Sequence, residues 1–200
     1  MNDLGRVQAT QKSGSEAFRD GQGSRDFALR DFWAWNQSDL LSNLCRAAFA
    51  EFIVARALSA DTSTVRDEWG TYDLRAASGL KVEVKTSGFL QSWHQNSLSE
   101  PSFSIRPARA WHPDKNTFGS DVRRHADVYV FALLAHKDKA TVDPMDLSQW
   151  RFYVVSTATL NSAKPKAKTL SLSALEGLAG PVSFDEVASA VEASIARRAA

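Results

Sequence analysis

The run DVYVFALLAH, from Asp127 to His136, constrains the fold more than any other stretch of the chain. It is almost continuously apolar, as expected for a central strand buried on both faces, and such a strand needs a packed layer above and below its sheet. The flanking sequence supplies candidates for those layers. LLSNLCRAAFAEFIVARAL, ending at Leu58, predicts a largely buried helix with Ser38 as N-cap and Asp39 in its first turn. WRFYVVSTATL (Trp150 to Leu160) predicts another strand, and FSIRP (Phe103 to Pro107) a shorter one closed by proline. A last helix is expected from Ser183 or Asp185 to Arg198, with acids early and arginines late, as the helix dipole favours. The order of helix, strands and helix predicts an α/β (α+β) fold with a mixed central sheet flanked by helices.

The 200 residues suit one domain. Residues 1–30 lack periodicity and are rich in Gly, Ser, Gln and charge, so they are expected to form a flexible arm or irregular cover, with 31–200 as the domain proper. SAKPKAK, residues 162–168, reads as a solvated loop. The sequence has neither a long apolar run nor a signal-peptide core, and its single cysteine, Cys45, has no internal partner. These features lead to the expectation of a cytoplasmic protein without a membrane span. A net charge of +1 excludes a bulk polycation but allows a local basic groove. The one locally basic stretch, Arg106 to His125, carries Arg106, Arg109, Lys115, Arg123 and Arg124 against two aspartates. Those five cations fit either a phosphate groove or a solvated face.

Two features concentrate charge where apolar residues are expected. On the first helix Glu51 shares a face with Leu44, Ala48, Ala55 and Leu58, and a carboxylate on an apolar face needs a partner. In LKVEVKTS, Lys81, Glu83 and Lys85 alternate with Val82, Val84 and Thr86. Alone, that ladder reads as a solvated edge. The turn signal Ser78-Gly79, of two-residue type, folds the preceding DEWGTYDLRA against it as a hairpin and brings Asp73 towards Glu83. Two adjacent carboxylates repel unless a cation intervenes, and Mg²⁺ is satisfied by one or two carboxylates, a carbonyl and waters. Lys85 points into the same space, where it could activate a water or stabilise charge on a phosphate.

Tyr72-Asp73, a gap of nine residues and then Glu83-Val84-Lys85 resembles the motif of the PD-(D/E)XK, or restriction-endonuclease-like, nucleases. The acidic residue that this family often carries on the preceding core helix matches Glu51, and the order of elements over roughly 38–160 is similar, with later strands around a helical crossover. Tyr72 replaces the motif's proline. The resemblance implies a restriction-endonuclease-like core and a phosphodiesterase dependent on Mg²⁺ (or Mn²⁺). It makes Asp73 and Glu83 metal ligands with the Val84 carbonyl, Lys85 the catalytic lysine, and Glu51 an accessory acid for a second metal or its water. It also places Gln91 near metal-bound water or phosphate, the other reading being a surface-loop glutamine.

Trp93 fits base stacking or a core or lid role. The histidines lack zinc-site spacing, and there is no phosphate-binding glycine loop or serine-hydrolase elbow. The function expected is a metal-dependent DNA endonuclease of restriction, phage defence or repair, paired as a homodimer if both strands are cut. The alternative is a nucleic-acid-binding or assembly protein that retains the fold without turnover.

Overall fold

A computed structural model describes residues 4–196. The central sheet holds four strands, formed in spatial order by residues 74–75, 81–88, 128–134 and 150–156. The elements before it are a hairpin of β1 (Ala17–Asp20) and β2 (Gly23–Ala28), helix α1 (Leu29–Gln37) and helix α2 (Asn43–Ala57). The sheet begins with β3 (Leu74–Arg75) and β4 (Lys81–Gly88). Then come β5 (Ser102–Ser104) and a ribbon of β6 (Ala108–His112) with β7 (Thr117–Arg123). The chain returns to the sheet through β8 (Val128–Leu134) and β9 (Trp150–Ser156). It finishes with α3 (Thr157–Ala163), β10 (Thr169–Ser171), α4 (Leu172–Glu176) and α5 (Val187–Ala196). β4 and β8 are parallel, while β3 and β9 run antiparallel to their neighbours, so the sheet is mixed.

All seven residues of β8 are buried, as the apolar run requires. On one face Val82, Val84, Val128, Val130 and Phe152 pack under Ile53 and Val54 of α2 and Val187 and Val191 of α5. On the other, Tyr129, Phe131, Tyr153 and Val155 pack against Phe103, Ile105, Leu160, Leu170 and Leu175. Each such side chain contributes about 1.5–3 kcal/mol by leaving water. The β4 alternation persists: Val82 and Val84 face α2, while Glu83 and Lys85 lie beside Tyr129 and Phe131 on the opposite face.

Several boundaries differ from expectation for local reasons. Ser38 ends α1 instead of starting α2. The Asp39 carboxylate accepts from the N–H groups of Leu41 and Ser42 in a turn, and Ser42 is the cap, its Oγ accepting from Cys45 N–H at 3.3 Å. The β3–β4 loop has three residues, not two: Ala76 N–H donates to Leu80 O, Gly79 N–H donates to Ala76 O, and Gly79 has φ +90°. The turn thus ends on a residue of positive φ, a position suited to glycine. β9 stops at Ser156, whose Oγ accepts from Thr159 N–H at 3.2 Å and opens α3, so the last four residues of the expected strand, 157–160, are helix. Among the described residues, the connection 89–127 contains no helix; a short strand and the β6–β7 ribbon stand where the resemblance implied a helical crossover.

Residues 17–28 form a hairpin with Phe18 and Phe27 at 4.7 Å between ring centroids, within the stretch expected to be irregular. Residues 197 and 198 of the expected last helix lie outside the described residues. Among the described residues no helix is long and apolar enough to cross a membrane.

Candidate active site

Asp73 immediately precedes β3 and is held there by the ladder. Its N–H donates to Val82 O at 3.1 Å, and its Oδ2 accepts from Val84 N–H at 2.7 Å. The second bond fixes the carboxylate against β4 on the strand that carries Glu83 and Lys85. Lys85 Nζ lies 2.6 Å from Glu83 Oε1, both side chains mostly shielded from water. Lys81 does not join them, its ammonium lying 5.7 Å from the centre of the Tyr72 ring.

The electrostatics match a site built to hold opposite charges together. Burial, and then the nearby charge of Glu83, push the Asp73 carboxyl up to about 6, against the opposing pull of Lys85 and the Val84 N–H. For Lys85, burial acts to lower the ammonium's pKa, but Glu83, Asp73 and the hydrogen bond to Glu83 outweigh it and leave the group above its ordinary value. Lys85 is therefore a cation at neutral pH, suited to stabilising negative charge and not to removing a proton from water. Burial, then Glu83, also raises the hydroxyl of Tyr129, which pairs with Glu83 in register.

Glu51 is 7% exposed on α2. Its partner is Arg66, a residue that the sequence reading did not single out. Arg66 Nε bonds Glu51 Oε2, and Nη2 bonds Oε1 at 2.8 Å. The anomalous carboxylate signalled that a partner had to exist; the partner's position in an irregular loop gave no signal of its own. Glu51, Arg66 and Asp73 line one cavity of about 510 Å³. Asp73 also lines a neighbouring cavity of about 310 Å³ with Trp69, Tyr72, Trp111 and Arg6. The latter cavity shares Arg6, Trp69 and Trp111 with a third of about 610 Å³. Asp73 thus stands in a cleft whose further walls carry tryptophans and arginines absent from the expected site. Arg6, from the stretch expected to be a loose arm, bonds Asp67 at 3.1 Å at its rim.

The remaining expected residues lie elsewhere. Gln91 is buried, accepting from Arg46 Nη2 and donating to Gly88 O and Ser99 Oγ, so it is not a surface-loop glutamine. Trp93 is half exposed. Arg106, Arg109, Lys115 and Arg123 are exposed on or beside the β6–β7 ribbon. Like Trp93, none of them lines the cavities that contain Asp73. Arg124 is a correction to the basic set. It is 6% exposed and donates to Ile105 O, Asn161 Oδ1, Lys164 O and Ala167 O. Four of its five N–H groups are thereby used to tie loops together.

Among the described residues, no three of His, Cys, Asp and Glu are grouped to hold a metal ion. Asp73 and Glu83 nevertheless fit a hard divalent cation. They are two oxygen donors, and burial followed by the charge of Glu83 raises the Asp73 carboxyl; Mg²⁺ completes its shell with water.

No curated protein matches the chain. The family model described as bacteriophage T4 endonuclease IV matches residues 26–174, about three quarters of the sequence, and that span contains Glu51, Asp73, Glu83 and Lys85. The chain belongs to the bacteriophage T4 endonuclease IV family.

Proposed function

We propose that the chain is an endonuclease hydrolysing phosphodiester bonds in DNA with Mg²⁺ or Mn²⁺, on the pattern of the PD-(D/E)XK nucleases. The observation that carries this reading is the meeting of Asp73, just before β3, with the Glu83–Lys85 pair of β4, at a point where Asp73 lines an open cavity. Asp73, Glu83 and the Val84 carbonyl would hold the ion. When bound, it supplies Lewis-acid polarisation of the phosphodiester.

The chain's own residues do the rest. The Val84 N–H holds one Asp73 carboxylate oxygen, so the ion would take the other. Lys85, kept protonated by Glu83 and Asp73, donates to a non-bridging phosphate oxygen where charge builds as water attacks in line with the leaving 3′ oxygen. The exposed cations Arg106, Arg109, Lys115 and Arg123 serve the phosphate backbone beyond the scissile group, which positions the substrate without reading its sequence. A homodimer would present two such centres and cut both strands of a duplex.

The reading is tested by incubating the protein with single- and double-stranded DNA in Mg²⁺, Mn²⁺ or EDTA, alongside calorimetric titration of Mn²⁺. Cutting that needs the metal, with Mn²⁺ binding weakened by Asp73→Asn and by Glu83→Gln, is the expected result. Cutting that persists in EDTA, or Mn²⁺ binding indifferent to both substitutions, would contradict it.

A further inference from the structure

We infer that Arg66 binds the scissile phosphate and that Glu51 is its positioning residue, not a metal ligand; this rests on the nuclease reading above. A guanidinium presents two hydrogen-bonding edges. In Arg66 the edge formed by Nε and Nη2 is bound by the two oxygens of Glu51. The edge formed by Nη1 and Nη2 keeps N–H groups for a second anion. Nη1 lies 3.5 Å from Glu68 Oε1, in a pair whose glutamate is 75% exposed and which a phosphate would displace at little cost. A planar fork held along one edge and open along the other is the geometry that suits two-point recognition of a phosphate.

The location agrees. Arg66 shares the cavity of about 510 Å³ with Asp73 and lines the adjoining one of about 610 Å³, so it stands in the cleft that Asp73 also lines. Asp73 and Arg66 also feel one another's charge. Glu51 offers both oxygens to Arg66 and is 7% exposed, so metal coordination would have to break a partly buried bidentate pair. A buried anchor beneath a half-exposed arginine also explains the carboxylate on the apolar side of α2. It holds in one rotamer a long side chain that would otherwise lose mobility each time the substrate binds.

The test compares wild type with Arg66→Ala, Arg66→Lys, Glu51→Gln and the double variant Glu51→Gln/Arg66→Ala. Its readouts are kcat and KM for DNA cleavage and, separately, Mn²⁺ affinity by calorimetry. Arg66→Ala is expected to lower kcat on the order of 100-fold, with Mn²⁺ affinity unchanged within about twofold; Arg66→Lys, which keeps the charge and loses the fork, recovers only part. Glu51→Gln should lower kcat without weakening Mn²⁺ binding. The double variant should be no worse than Arg66→Ala, because both changes remove one interaction. Arg66→Ala leaves Glu51 buried and unpaired, so the double variant supplies a background in which that charge is gone if the single one fails to fold. Wild-type kcat in the arginine variants, or a tenfold or greater loss of Mn²⁺ affinity in Glu51→Gln, would overturn the assignment. Wild type failing to cut DNA with any metal would overturn the nuclease reading itself, which separates the two failures.

Discussion

Replacing Asp73 by asparagine should make the metal-free protein more stable at pH 8 while destroying its function. In the folded chain the Asp73 carboxyl titrates near 6, against an ordinary value of 3.8. Between those limits the unfolded chain has released its proton and the folded chain has not, so wild-type stability falls as pH rises through this window. Above pH 6 the full penalty is present; below about pH 4 it is absent. Raising the carboxyl from 3.8 to about 6 costs its ionised form about 3 kcal/mol. Asparagine keeps the oxygen that accepts from the Val84 N–H and removes the charge. For a chain of this size, about 3 kcal/mol raises the melting temperature by roughly 6–12 °C. The assay is thermal melting in EDTA from pH 4 to 8 for both proteins. The variant should melt higher at pH 8, and the gap should close as pH falls from 6 towards 4. Added Mg²⁺ should raise the wild-type melting temperature and leave the variant's unchanged. A variant that melts at or below wild type throughout would refute the view that Asp73 is held ionised against its surroundings.

Arg124→Met should destabilise the protein by about 3 kcal/mol or more in denaturant titration, because it strands the carbonyls of Ile105, Lys164 and Ala167; a loss under about 1 kcal/mol would mean that these bonds are dispensable. Lys115→Ala combined with Arg123→Ala should reduce the salt dependence of DNA binding by roughly two in the log–log slope. An unchanged slope would remove the β6–β7 ribbon from the interface. Gly79→Ala should cost about 1 kcal/mol, since φ is +90° there, and a neutral result by chemical denaturation would show that the turn relaxes.

The parts of the fold legible in sequence were those dictated by periodicity. The continuous apolar run became a strand buried along its whole length, and the alternation in LKVEVKTS placed Glu83 and Lys85 together on one face. Asp73 could be brought near them because a turn signal preceded β4, although the loop proved one residue longer. What remained hidden depended on contacts between segments remote in sequence. Arg66 reaches Glu51 across 15 residues from a loop without periodicity. Arg124 sits in a basic run, and nothing in that run distinguishes it from Arg123; four acceptors on other segments bury it. Ser156 and Ser42 act as caps in runs where Thr157–Leu160 and Ser38 looked equally suited to strand and cap, so local propensity misplaced both boundaries. Trp69 and Trp111 come together only because the cleft is formed by the loop before β3 and the β6–β7 ribbon.

Whether Asp73, Glu83 and Lys85 form a nuclease centre is decided by nicking of supercoiled plasmid by wild type and Lys85→Ala in Mg²⁺. Wild type should convert the plasmid to open-circular or linear DNA only with metal, with loss of at least about 100-fold in the variant and Mn²⁺ binding retained. Equal nicking by both proteins would contradict such a centre, because the cation beside Glu83 would then have no part in the chemistry.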